Sequence, residues 1–239
     1  MIITPTYFIQ NFSKTESDIK MSDFSIRVAD QSHLDYTELI CLTIADSAAK
    51  RGTGIAKRSP EYIKAKMLEG KAIIALDKQG NFGGFCYLET WGHDKYVVNS
   101  GLIVNPKYRH KGLAKRIKEK AFKLSRKKYP DSKIFGLTTS LAVMKINSDL
   151  GYYPVPFSEL TDDKEFWKGC QSCVNYDILK GKNFQNCLCT GMLYDQKNNR
   201  TSRKWNFLKK SNIYERLVRI KRAVFTKNRK VSILNILSI

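Results

Sequence analysis

Three stretches of this chain place reactive residue types at chemically useful spacing. The first is "VNPKYRHKGLAKR", Val104 to Arg116, which joins an apolar run to the start of a long basic helix. A strand-to-helix junction collects unpaired backbone N–H groups at the positive end of the helix dipole, an anion site best matched to phosphates. Gly112 lets backbone approach such a ligand without a Cβ, and Arg109, Lys111, Lys115 and Arg116 add positive charge. The spacing lacks the Gly-Lys-Ser/Thr ending of a nucleotide P-loop and is not G-x-G-x-x-G. The second stretch is "GCQSCVNYDILKGKNFQNCLC", with Cys170, Cys173, Cys187 and Cys189. Four thiolates so spaced can surround a structural zinc, and Cys-x-Cys in a strand would turn both sulfurs to one face; the plainer alternative is buried free thiols. The third is Glu89, a carboxylate on an apolar strand and a candidate general base; its plainer reading is an exposed strand end. His93 falls in a turn and reads as a surface residue.

The elements that must position these groups follow from pattern. "DFSIRVA" over 23–29 reads as a strand, and residues 34–49 carry Leu34, Leu39, Leu42 and Ile44 at helical spacing. "SPEYIKAKMLEG" restarts a helix, with Ser59 as cap, Pro60 in the first turn and Gly70 as stop. "KAIIALD", "FGGFCYLETWG" and "KYVVNSGLIV" form a three-strand meander. After the elbow, Leu113, Ile117, Ala121 and Leu124 mark a helix ending at Pro130. "SKIFGLTT" is a strand, "SLAVMKINSDLG" a short helix, "YYPV" a strand, and "NCLCTGMLYD" a last strand after irregular chain over 158–185. The expected fold is α+β: a mixed, mostly antiparallel sheet flanked by helices.

With 239 residues the chain can bury one sizeable core. No stretch is long and apolar enough to span a bilayer, and the N-terminus lacks the features of a secretory signal, so a cytoplasmic setting without a disulfide framework is expected. Residues 1–20 read as a loose extension before a second start at Met21, residues 21–196 as the main domain with a Cys-rich segment at 165–190, and 197–239 as a basic tail. The formal net charge is +20, and the tail holds 13 Lys and Arg against one acid, Glu215. Ile213, Leu217, Ile220 and Val224 give the tail an apolar stripe suited to docking on the protein's own body or in a homodimer.

"LIVNPKYRHKGLAKRI" resembles motif A of the GNAT N-acyltransferase superfamily, in which a strand ending in V-x-P precedes an aromatic and Arg/Gln-x-x-Gly-x-Gly/Ala. Val104, Pro106, Tyr108, Arg109, Gly112 and Ala114 match, and so does the order of elements over roughly residues 24–195. The resemblance implies acetyl-CoA or succinyl-CoA as donor. Backbone of Leu102, Ile103 and Val104 would pair with the pantetheine arm, and N–H groups from His110 through Lys111, Gly112, Leu113 and Ala114 to Lys115, beside Arg109, would hold the pyrophosphate. The amine attacks the thioester directly, leaving the protein to supply a base and a donor for the leaving thiolate. Where the family commonly has a tyrosine, four residues before the closing glycine pair, this chain has Asn147; its amide can donate to a thiolate but cannot give up a proton.

"LTTSLAVMKINSDLGYYPVPFSEL" and "AKRSPEYIKAKMLEGKAIIAL" resemble the acyltransferase domain of N-acetylglutamate synthase. That likeness implies glutamate as acceptor in arginine synthesis, faced by Lys57 or Arg58 and by Thr138 and Thr139; a fixed cation suits a carboxylate acceptor. Ser140 stands where that family has arginine, and the kinase-like domain of the long synthase form is not expected here, nor arginine feedback through it. Two alternatives stand beside this reading. One is acylation of another amino acid, a polyamine or a protein amine. The other is a non-catalytic module using the basic tail on a partner or a nucleic acid, the latter disfavoured.

Overall fold

The computed structural model describes residues 23–51 and 58–197 of the 239. The expected extension over 1–20, Lys57 and the tail beyond Lys197 lie outside the described residues.

Strand β1 (Ser25–Val28) leads through a turn of 3-10 helix into α1 (Thr37–Arg51), and α2 (Pro60–Leu68) follows. Ser59 caps α2 by accepting the Tyr62 N–H at 3.2 Å, and Pro60 occupies its first turn as expected. The meander comes next: β2 (Ala72–Leu76), β3 (Phe82–Trp91) and β4 (Tyr96–Val104). Its first hairpin is closed by Asp77, whose Oδ1 accepts the Gln79 and Asn81 N–H groups at 2.9 and 2.8 Å. Beyond the elbow run α3 (Leu113–Lys128), β5 (Lys133–Thr138), α4 (Leu141–Asp149), β6 (Tyr153–Val155), two short helices α5 (Lys164–Lys168) and α6 (Tyr176–Gly181), and β7 (Thr190–Tyr194).

The described residues form a seven-stranded sheet in the order β1-β2-β3-β4-β5-β7-β6. Its pairings are antiparallel except β4 with β5, which run parallel because α3 crosses between them. One face carries α3, packed through Leu113, Ile117 and Ala121 onto Ile73, Cys86, Leu88 and Val97, with Tyr152 and Met192 alongside. The opposite face carries α1 and α2 through Ile40, Ile44, Ile63 and Met67 onto Ile74, Phe85 and Tyr87. A third cluster at the β5-β7-β6 end gathers Phe135, Phe157, Leu160, Trp167 and Leu193. Among the described residues no helix is long and apolar enough to cross a membrane.

Two sequence expectations are corrected here. The buried stripe of α1 is Thr37, Ile40, Ile44 and Ser47, while Leu39 and Leu42 face solvent. Helical spacing was right, but two leucines on the far side shifted the face read from it. The region 158–185 is not irregular: α5 and α6 fold there because Trp167 and Leu179 have a core to enter. Helices this short are marginal without such packing, which local pattern does not register.

Candidate functional site

At the elbow, Asn105 holds the chain end of β4 by donating to the Phe82 carbonyl at 3.0 Å while its own side chain accepts the Lys107 N–H at 3.1 Å. Pro106–Tyr108 form one turn of 3-10 helix. The Tyr108 ring stacks edge-on against Phe24, and its hydroxyl donates to Asp77 Oδ2 at 2.7 Å, tying the elbow to the β2–β3 hairpin. His110 and Gly112 then take left-handed backbone, φ 62° and 75°. Gly112 is the N-cap of α3 and makes no side-chain cap hydrogen bond. The first turn of a sixteen-residue helix is thus left without a competing side-chain acceptor, which an anion can exploit. Arg109 is occupied differently from expectation: Nη2 donates to Ser47 on α1 at 2.9 Å and Nε to the Val104 carbonyl at 3.3 Å. It braces the elbow against α1. Lys115 pairs with Asp149 at 3.2 Å, linking α3 to α4.

Beyond the elbow the sheet opens. The parallel pairing of β4 and β5 consists of Tyr96 with Lys133, Val97 with Ile134 and Val98 with Phe135. After Val98 the strands part, while β5 stays paired with β7 on its other edge from Ile134 to Thr138. The register of β3 against β4 also slips: Phe85 faces Ile103, but Tyr87 faces Ser100, so β4 holds an extra residue. Gly101 sits in that bulge with φ 63°, and a Cβ there would stand 2.5 Å from Tyr87 Cε1. Left-handed backbone and ring contact together demand glycine. Gly101→Ala should cost about 2–4 kcal/mol of stability, read as a lower urea midpoint with unchanged slope; an unchanged midpoint would show that the bulge tolerates a methyl group.

The gap is the floor of a cavity of about 690 Å³. Asn99 to Leu102 of β4 and Gly136 to Thr139 at the end of β5 line two of its walls. Asn147 on α4 and Lys118 on α3 reach it from one face of the sheet, and Arg58, Tyr62, Tyr87 and Glu89 from the other. The cavity thus runs through the sheet at the place where β4 stays paired with β3 but no longer with β5.

Glu89 is 7% exposed, so it is not a solvent-facing strand end. Oε1 accepts from the Tyr62 hydroxyl at 2.5 Å and lies 3.9 Å from Arg58 Nη2; Oε2 accepts from Ser100. Arg58 Nε donates to the Tyr87 hydroxyl, and its guanidinium lies over the Tyr62 and Tyr87 rings at 5.6 and 5.8 Å from their centroids. Burial, and after it the Glu89 carboxylate, holds the Tyr62 and Tyr87 phenols protonated far above their ordinary range. The network therefore carries one carboxylate, one guanidinium and two neutral phenols. Thr138 and Thr139 lie across the cavity, Thr138 Oγ1 accepting the Ser140 N–H at 3.0 Å. Asn147 is 1% exposed, and its Oδ1 is buried without a hydrogen-bond partner among the described residues.

The folding thus brings Arg58, Glu89, Thr138, Thr139 and Asn147 to one cavity, with Leu102 on its wall and Ile103 and Val104 continuing toward the elbow. His93 is exposed in its turn, as expected. Tyr62, Tyr87, Ser100 and Lys118 were missed. For Lys118 a signal existed: it falls four residues after Ala114 and three before Ala121, on the face of α3 turned to the sheet.

The four cysteines read as a candidate zinc set lie within electrostatic reach of one another. Among the described residues no group of three or more His, Cys, Asp or Glu is arranged to hold a metal ion. Cys187 and Cys189 lie in the turn before β7, which begins at Thr190, so the one-face geometry of a strand does not apply. Burial pushes the Cys170 thiol up to about 11 and the Cys189 thiol up to about 12, with neighbouring sulfurs acting in the same direction. Cys170, Cys187 and Cys189 pack instead against the third apolar cluster.

No protein-family model matches this sequence, and no curated protein does. Solved structures do match. N-acetylglutamate synthase from Neisseria gonorrhoeae, complexed with coenzyme A and N-acetyl-glutamate, is 18% identical over 71% of this chain, with a TM-score of 0.51. The match spans about a third of that enzyme, 34% of its length. A Mycobacterium tuberculosis protein solved with CoA is 16% identical, covering 72% of this chain and 98% of its own, TM-score 0.52. A Salmonella typhimurium protein solved with its cofactor acetyl-CoA is 16% identical, covering 75% and 98%, TM-score 0.50. At these identities the likeness shows the fold alone, the mixed, mostly antiparallel sheet flanked by helices that the GNAT resemblance implied.

Proposed function

We propose that this chain is an acyl-CoA-dependent N-acyltransferase whose acceptor is an amino acid, glutamate in the first instance, serving arginine synthesis. The observation that carries this reading is the break between β4 and β5, which opens a cavity containing one buried carboxylate next to the uncapped start of α3. A thioester donor fits that arrangement. Its pyrophosphate would meet the N–H groups around Gly112, and its pantetheine amides the edge of β4 from Leu102 to Val104 that β5 leaves uncovered. Its acyl group would reach the gap.

The chain's own residues then do the following. Arg58, Thr138 and Thr139 offer a cation and two hydroxyls to the acceptor's carboxylates. Glu89 takes the proton from the acceptor ammonium, directly or through one water, and the amine attacks the thioester carbon. The carbon–sulfur bond breaks, the amide forms, and the thiolate leaves. No covalent acyl-enzyme is required. Tyr62, Ser100 and Arg58 fix the Glu89 carboxylate so that its remaining lone pairs are aimed before substrate arrives.

The test is release of free CoA across the twenty amino acids with acetyl-CoA and with succinyl-CoA. Turnover should appear with glutamate, and Arg58→Ala should raise the KM for glutamate about tenfold or more while sparing donor affinity. Turnover with another amino acid would replace glutamate as acceptor; silence with every amine and both donors would overturn acyl transfer itself.

A further inference from the structure

Helix α3 carries a lysine where it faces the sheet. Lys118 is 2% exposed, flanked along the helix by the fully buried Ala121 and Ser125. Its ammonium lies 5.3 Å from the centroid of the Tyr152 ring. Among the described residues it has no hydrogen-bond or ion-pair partner. A buried cation without a counter-charge is costly, and burial accordingly pushes this ammonium down to about 8. The side chain lines the same cavity as Asn147, whose buried Oδ1 also lacks a partner. The Asn147 amide stands over the β5 wall of the gap, 4.0 Å from where a Cβ of Gly136 would be. Two helices, α3 and α4, therefore each send an unpartnered polar group into the opening between the strands, from the side opposite Glu89.

We propose that Lys118 is the general acid of the reaction, giving its proton to the thiolate that leaves when the thioester carbon–sulfur bond breaks. The inference rests on the acyl-transfer reading. It supplies what Asn147 cannot, since an amide can donate a hydrogen bond to sulfur but not yield a proton. The step balances. Glu89 passes the first proton of the acceptor ammonium to solvent through a water; the amine nitrogen then bonds to the acyl carbon, and its second proton goes to Glu89. The carbon–sulfur electron pair goes to sulfur, and sulfur takes a proton from Lys118 Nζ. Amide, CoA thiol and a neutral lysine result, and solvent reprotonates the lysine. The missing counter-charge has a purpose in this scheme. Negative charge appears beside the ammonium only as the thiolate develops, so the attraction is strongest at the transition state.

The experiment compares the full chain with Lys118→Met, which keeps an unbranched stem of similar length. The wild-type kcat/KM for the donor should fall as pH rises through about 8, where burial places the ammonium of the free protein. In K118M, kcat should be lower by about 100-fold with this alkaline fall gone, CoA affinity unchanged and thermal stability equal or higher. The deficit should shrink when the donor carries a more acidic leaving thiol, because such a thiolate needs no proton. A merely structural lysine would show neither the lost limb nor the leaving-group rescue. If K118M does not fold, Lys118→Gln takes its place. Wild-type turnover matched by the variant, with the same pH profile, overturns the role of Lys118 alone. Absence of turnover in the wild type overturns the acyl-transfer reading and this role with it.

Discussion

Replacing Gly112 with Asp is expected to weaken coenzyme A binding by about 100-fold or more, corresponding to roughly 3 kcal/mol, while the sheet stays folded. Gly112 occupies the N-cap of α3 with φ 75° and offers no side chain there. An aspartate at a helix N-cap is normally favourable because its carboxylate accepts the first-turn N–H groups. At this site that favourable contact is the damage: the carboxylate would occupy the donors a pyrophosphate needs and set a like charge against it. The left-handed backbone adds about 1–2 kcal/mol of strain, partly offset by the new cap, so melting should shift by only a few degrees. Calorimetric titration with CoA, alongside thermal unfolding, separates the two effects. Wild-type CoA affinity in G112D would mean that phosphate is not held at this elbow.

The second large effect is expected at Glu89. Glu89→Gln should lower kcat by about 100- to 1,000-fold with little change in the KM of the donor. The substitution keeps shape and one carbonyl acceptor, and the Tyr62 and Ser100 hydroxyls can rotate to meet the amide. What it removes is the proton acceptor and the negative charge facing Arg58 at 3.9 Å. Breaking a largely buried ion pair from one side is destabilising, and about 1–3 kcal/mol is expected here because Arg58 keeps its bond to Tyr87. Single-turnover CoA release distinguishes lost chemistry from lost folding, since the folded fraction is measured separately. A kcat within threefold of wild type would remove Glu89 from the reaction and leave it a positioning role for Arg58.

Both residues were legible as candidates before any coordinates, and for different reasons. Gly112 was marked by local grammar: an apolar strand, a turn proline, an aromatic and a glycine at fixed offsets define an elbow whatever surrounds it. Glu89 was marked only as an odd residue on an apolar strand, and its partners were not foreseen. Tyr62 lies 27 positions away and Ser100 11 positions away in sequence. The cysteines show where spacing stops informing. Their spacing suggested a shared ion, but spacing does not say whether a Cys-x-Cys pair lies in a strand or in the turn before it, and here it lies in the turn.

What the sequence determined by itself was local and periodic. The meander of β2, β3 and β4, the capped start of α2 at Ser59, and the sheet-facing Leu113, Ile117 and Ala121 of α3 all follow from alternation, capping and helical spacing, which act within a few residues. The tertiary structure alone decided where β4 and β5 part company. Their pairing stops after Val98 and Phe135, and the bulge at Gly101 turns β4 aside against the Tyr87 ring. That break depends on strand register and on a ring from a neighbouring strand, neither of which leaves a local mark. It also decided that Lys118 is buried without a counter-charge among the described residues, because burial is a property of what α3 packs upon. The elbow could be found by reading along the chain; the cavity behind it exists only where distant segments fail to close.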